Sequence, residues 1–158
     1  MTRLNIEETE RIIRQYSDMI YRIAVHNTCC TADAEDIMQD VFIDMLTKCP
    51  CMDDPEHLKA WLIRVTVNKC NSLYRLAWHR KCVPLDDSLP AKPEKSSIME
   101  EIWQLPKNMR NVIYLYYYED YTIAEIAGIL RKNPNTVSST LQRARRKLKD
   151  LLQEGEDV

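Results

Sequence analysis

Seven basic side chains and no acidic one lie in the stretch RKNPNTVSSTLQRARRKLK, from Arg131 to Lys149. The chemistry open to such a stretch is binding: Lys and Arg beside a nucleic-acid backbone neutralise phosphates and release condensed counterions. Among the cations stand short polar groups that can hydrogen-bond base edges, Asn135, Ser138, Ser139 and Gln142, followed by Arg143. A solvated basic face on an ordinary helix hairpin is the alternative on charge alone. The neighbouring residues argue against it. The apolar segment TIAEIAGIL comes first, then a turn of about four residues, then NTVSSTLQRARRKL. Ile123, Ile126, Ala127 and Leu130 are expected to point inward, with Val137 and Leu141 answering from the next helix and Ala127 small where the two cross. This is the pattern of a helix-turn-helix, whose second helix enters the major groove.

The whole chain carries a formal net charge of −2, so its positive charge is local. Residues 57–81 hold six bases (Lys59, Arg64, Lys69, Arg75, Arg80, Lys81) and no acid. Residues 1–44 hold nine acids against four bases. Local fields select partners more than net charge does. The basic 57–81 zone also contains Trp61, Tyr74 and Trp78, and aromatics among bases suit single-stranded nucleic acid. Trp61 falls in an apolar stripe and is expected in the core; Asn68 lies among the bases on a polar face. Asp33, Asp36 and Asp40 repeat like charge at helical spacing, which costs helix stability and suggests a basic protein partner. The tyrosines Tyr114, Tyr117, Tyr118 and Tyr121 fall on one helical side and are expected to be core or scaffold.

Helices must position these groups. Asn5 with Glu8 reads as a capping box, and apolar residues from Ile12 to Ala24 recur at helical spacing with a break expected near Ser17-Asp18. A second helix begins near Thr31 or Asp33, with Ile37, Met38, Val41, Phe42, Met45 and Leu46 in one stripe. Asp54 is a good N-cap and Pro55 a good first residue for a third helix running to about His79, with Leu58, Trp61, Leu62, Val65, Leu73 and Leu76 apolar. The three prolines of CVPLDDSLPAKPEKSS read as a linker. A short helix over 98–104, another from Pro106, the TIAEIAGIL helix begun by Thr122, and a last helix capped by Asn133 and opened by Pro134 complete the chain. The fold class is therefore all-α, two small helical domains joined by a flexible linker: residues 1–81, linker 82–97, and residues 98–158 with the helix-turn-helix.

Composition narrows the function. Two glycines, Gly128 and Gly155, cannot build a glycine-rich phosphate loop. His26, His57 and His79 stand in unrelated places, and no nucleophile–base pattern appears, so no enzyme and no cofactor is expected. Six cysteines (Cys29, Cys30, Cys49, Cys51, Cys70, Cys82) include no C-x-x-C pair. Across a helix over 33–48, at 1.5 Å rise, Cys29/Cys30 and Cys49/Cys51 end up roughly 22 Å apart, too far for one tetrahedral metal. With no apolar run near membrane-spanning length and a charged N-terminus, a cytoplasmic location with reduced thiols is expected.

Taken together, DAEDIMQDVF, HLKAWLIRVTVNKCNSLYR and LPKNMRNVIYLYYYEDYTIAEIAGIL with NTVSSTLQRARRKL resemble, in order and spacing, a bacterial sigma factor of the extracytoplasmic-function group. The resemblance implies sigma regions 2 and 4 only, binding to core RNA polymerase, and promoter recognition. It implies that Asp36, Gln39 and Asp40 contact the clamp helices of the large polymerase subunit. Arg64, Asn68 and Lys69 would capture the melted −10 strand. Asn135, Thr136, Ser138, Ser139, Gln142, Arg143 and Arg146 would meet the −35 duplex, with Arg145 and Lys147 near phosphates or polymerase. An anti-sigma factor is implied as a further partner. Arg131 stands where the family often has Gly, and Ser138 and Thr140 where it tends to have Lys or Arg. The rival is a stand-alone helix-turn-helix regulator that does not engage polymerase.

Overall fold

The computed structural model describes residues 5–28, 30–49, 53–77, 101–102 and 104–156. The chain divides into two compact units, Met1–Leu85 and Asp86–Val158. The regular elements among the described residues are all helical, in agreement with the expected fold class. No helix among them is long and apolar enough to cross a membrane.

The first unit holds α1 (Ile6–Thr28), α2 (Thr31–Lys48) and α3 (Pro55–Ala77), each packed on the other two. α1 runs without the expected break at Ser17-Asp18. The Ser17 hydroxyl donates back to the Ile13 carbonyl, a bond that lets a polar side chain stay inside a helix. Thr28 knits the α1–α2 corner: its hydroxyl donates to the Ala24 carbonyl (2.8 Å) and accepts from the Cys30 amide (3.4 Å). α3 starts as its sequence foretells. Asp54 Oδ1 accepts from the amides of Glu56 (3.0 Å) and His57 (3.3 Å), satisfying donors that the first turn leaves open.

Ile20, Val41, Met45, Leu62 and Ile63 form the fully buried centre of this unit. Burying one such side chain contributes about 1.5–3 kcal/mol. The apolar stripes differ from expectation at their edges. Leu46 is 53% exposed, and Trp61, Val65 and Leu73 are only half-buried, while Ile63, Thr66, Val67 and Cys70 take the inner positions of α3. Because α3 is enclosed by two helices, its buried arc is wider than one stripe. Thr66 enters it by donating its hydroxyl to the Leu62 carbonyl at 2.7 Å.

The second unit holds α4 (Lys107–Ile113), a π-turn (Tyr114–Tyr118), α5 (Ile123–Leu130) and α6 (Pro134–Glu156), with α6 packed on both α4 and α5. Glu101 and Ile102 are helical, whereas Gln104 already lies in a turn. The π-turn changes the tyrosine expectation in part: Tyr114 is core and Tyr117 braces α6 through Arg145, but the run is not one buried side. Glu119 N donates to Tyr114 O (3.3 Å) and Tyr121 N to Leu115 O (3.1 Å), so the turn is wider than an α-helical one. Tyr114 is buried, but Tyr117 is 50% and Tyr118 42% exposed, although the Tyr114 and Tyr118 rings still stack with centres 5.5 Å apart. Asp120 then takes a left-handed conformation (φ 56°), and Thr122 and Glu125 form a capping box that starts α5.

The linker residues 82–97 and the first residues, 98–100, of the expected 98–104 helix lie outside the described residues, as do Cys29, Cys51 and Cys82. Cys30, Cys49 and Cys70 are thiols in no disulfide.

Candidate nucleic-acid interface

α5 and α6 meet across the three residues 131–133. Arg131 is left-handed (φ 53°, ψ 49°), and the Lys132 amide donates to the Ala127 carbonyl at 2.9 Å. This closes α5 in a conformation that glycine adopts freely and that costs another residue about 1–2 kcal/mol. Asn133 Oδ1 accepts from the Asn135 amide at 2.8 Å and starts α6. Ile126, Ala127, Val137 and Leu141 are buried together as expected; Ile129 completes the inner set, while Ile123 and Leu130 are only half-buried.

That packing orients α6. Val137, Thr140, Leu141 and Ala144 face inward. Asn135, Thr136, Ser139, Gln142, Arg143 and Arg146 are exposed and Ser138 is half-buried, so the seven candidate duplex-facing residues lie along the side of α6 left open by the core. Thr140 is 4% exposed and donates to the Thr136 carbonyl at 2.8 Å, so the missing charge there removes nothing from the open face. Arg145 departs from the other cations. Its Nε donates to the Tyr117 hydroxyl at 2.7 Å, and its guanidinium lies 5.2 Å and 5.6 Å from the Tyr116 and Tyr117 ring centres. The tyrosine hydrogen bond, outweighing partial burial, pushes its pKa up. Spacing alone could not show this, because the π-turn is what brings Tyr116 and Tyr117 to it.

In the first unit, Glu35, Asp36, Gln39 and Asp40 are exposed on α2, and the exposed Ile43 and Leu46 continue the same side toward its C-terminus. On α3, Asn68 is exposed and Arg64 and Lys69 are half-buried. Asn71 and Ser72, exposed three and four residues beyond Asn68, extend that polar strip; helical spacing from Asn68 is the signal that could have found them. Lys69 is engaged: its Nζ lies 2.9 Å from Asp44 Oδ2 on α2. Asp44 also meets Lys48 at 3.5 Å. The hydrogen bond from Lys69 holds the Asp44 carboxyl below the usual carboxylate range, against the opposing effect of burial. Trp78, Arg80 and Lys81 lie outside the described residues.

Both units thus present polar faces suited to binding. Among the described residues no group of three His, Cys, Asp or Glu could hold a metal ion. Residues 12–80 match the model of Sigma-70 region 2, and residues 95–148 that of Sigma-70, region 4. The ECF RNA polymerase sigma factor SigM of Mycobacterium tuberculosis (strain H37Rv) is 25% identical over 149 residues, covering 90% of this chain and 76% of that protein. The RNA polymerase sigma factor SigV of Bacillus subtilis (strain 168) is 27% identical over 140 residues, covering 84% and 83%. The sigma factor RpoE from Bartonella quintana, solved with the anti-sigma factor NepR, has a similar fold: TM-score 0.75, 19% identity, 94% of this chain and 98% of that one.

Proposed function

The chain belongs to the extracytoplasmic-function sigma factors, with sigma-70 regions 2 and 4, and from that premise we propose how its two units divide the work of promoter recognition. The first, with the assigned limits 1–81, docks on core RNA polymerase through Asp36, Gln39 and Asp40 and captures the melted −10 strand through Arg64, Asn68 and Lys69. The second, residues 98–158, lays α6 in the major groove of the −35 element, with Asn135, Thr136, Ser138, Ser139, Gln142, Arg143 and Arg146 toward the DNA. Residues 82–97 join them. The observation that supports this division best is the segregation of charge by helix: an acidic exposed side on α2, a polar and basic strip on α3, and basic residues along the open side of α6.

Each assignment follows from the chemistry of its target. Duplex phosphates attract Arg143 and Arg146, while amides and hydroxyls near the start of α6 are placed to meet base edges. Opening a duplex costs a few kcal/mol per unstacked step, and strand bases held on α3 offset part of it. Carboxylates on α2 suit a basic surface on the polymerase, where charge complementarity raises the association rate. The protein then acts by binding energy rather than covalent chemistry, in the cytoplasm where polymerase works. An anti-sigma factor is a further partner, as NepR is for the Bartonella quintana protein. A stand-alone regulator would leave the acidic side of α2 without a task.

The test is run-off transcription with core polymerase on a random promoter library. Start-site selection is expected with the wild-type chain and not with core alone. Asp40→Lys, at an exposed position, is expected to abolish association with core while leaving the far-UV circular dichroism unchanged; unaltered affinity would overturn the docking face.

A further inference from the structure

Lys69 is not an open cation. Its ammonium lies 2.9 Å from Asp44 Oδ2, and the two side chains are 28% and 21% exposed, against 71% for Lys48, the second and more distant partner of the same carboxylate at 3.5 Å. Asp44 belongs to α2 and Lys69 to α3, so the ion pair joins the helix bearing Asp36 and Asp40 to the helix bearing Arg64 and Asn68. One turn separates Asp40 from Asp44, yet the first is exposed and the second half-buried toward α3. The carboxylate is thus aimed at its lysine by the packing of the two helices.

We propose that Asp44 is a positioning residue that holds Lys69 against α2 and withholds its charge from DNA, so that strand capture requires exchange of this carboxylate for a phosphate. The proposal rests on α3 being the strand-binding element. It has a consequence that a merely structural ion pair lacks. When a free lysine meets a phosphate, the counterion of that phosphate is released and binding weakens with salt. When Lys69 leaves Asp44, the bared carboxylate, with only the exposed Lys48 at 3.5 Å beside it, gathers cation from solution. Release and uptake oppose each other, and Lys69 adds little to the salt dependence. Without the carboxylate the uptake vanishes and the full release is seen.

The experiment measures binding of the reconstituted holoenzyme to fluorescein-labelled single-stranded DNA of mixed sequence over a series of KCl concentrations. Asp44→Asn is expected to bind roughly twofold to fivefold tighter at low salt, the range of a partly exposed ion pair, and to steepen the log–log salt slope by up to about 0.7, one single-strand phosphate. Asp44→Glu is expected to keep the wild-type slope. Asp44→Asn/Lys69→Gln is expected to lose both gains. Asp44→Ser, which removes the same charge with different packing, must steepen the slope as Asp44→Asn does; circular dichroism monitors folding of each. Should Asp44→Asn keep the wild-type affinity and slope while the double variant binds more weakly than Asp44→Asn, Lys69 meets DNA unhindered and the proposal is overturned with the α3 assignment intact. Should the double variant match Asp44→Asn, Lys69 never reaches the strand, and the assignment of Lys69 to the −10 set fails along with the proposal.

Discussion

α3 and α6 are two helices with one opening device and opposite surroundings. Each has 23 residues, each begins on a proline, and each is preceded by a side-chain cap, Asp54 or Asn133. Both are rich in Lys and Arg. α3 is enclosed by α1 and α2, so that Leu62, Ile63 and Thr66 are fully buried and its cations Arg64 and Lys69 are half-covered. α6 packs along one side and leaves Arg143, Arg146 and Lys147 in solvent. The difference teaches how similar basic helices can be fitted to different targets, as the proposed assignments require. A duplex offers phosphates on both edges of a groove, which suits a long open face. In the proposed assignment a melted strand meets the narrower polar strip of α3, where neighbouring helices can govern each cation.

The largest effect that would test this contrast is truncation of the two cores. Leu62→Ala and Leu141→Ala should each cost about 2–5 kcal/mol, with the greater loss at Leu62, because it sits in the wider buried arc of α3, between Leu58, Ile63 and Thr66, and such a site collapses less around a cavity. Urea unfolding of each variant checks this, and a greater loss at Leu141 would contradict the enclosure of α3. A smaller effect separates the arginines of α6. Arg143→Gln with Arg146→Gln should lower the salt slope for duplex binding by about 0.9 for each phosphate left without its arginine. Arg145→Gln should lower that slope by less, since its guanidinium keeps its charge but is held against Tyr116 and Tyr117 rather than turned freely to a phosphate. The smallest effect is the acid response of the first unit. The Asp44 carboxyl has a folded pKa below its unfolded value, so the stability it contributes is present above about pH 4 and is lost as pH falls through the lower, folded value. The difference in thermal midpoint between wild type and Asp44→Asn should therefore be full at neutral pH and close in acid.

Much of this is legible in the residues. Caps before Pro55 and Pro134 are local, since an Asp or Asn side chain reaches amides only two or three residues ahead, and both occur as expected. The inner faces of α5 and α6 follow from periodicity, apart from Ile129, which is buried where Ile123 and Leu130 are only half-covered. The departures have a common cause. α-Helical spacing groups Tyr117 and Tyr118 with Tyr114, but the chain widens into a π-turn there; it also places Leu46 in a stripe that α1 and α3 do not fully cover. Periodicity assumes one helical geometry and one partner surface, and each departure breaks one of those assumptions.

Amino-acid order by itself determined which segments are helical, where two of them start, how charge is parcelled among them, and the family likeness, because propensity, capping and charge act over a few residues. Only tertiary structure decided which cations remain available. Lys69 is held by a carboxylate 25 positions earlier in the chain and Arg145 by a tyrosine 28 positions earlier. Neither pairing has a signature at helical spacing, since each exists only where packing brings two elements together.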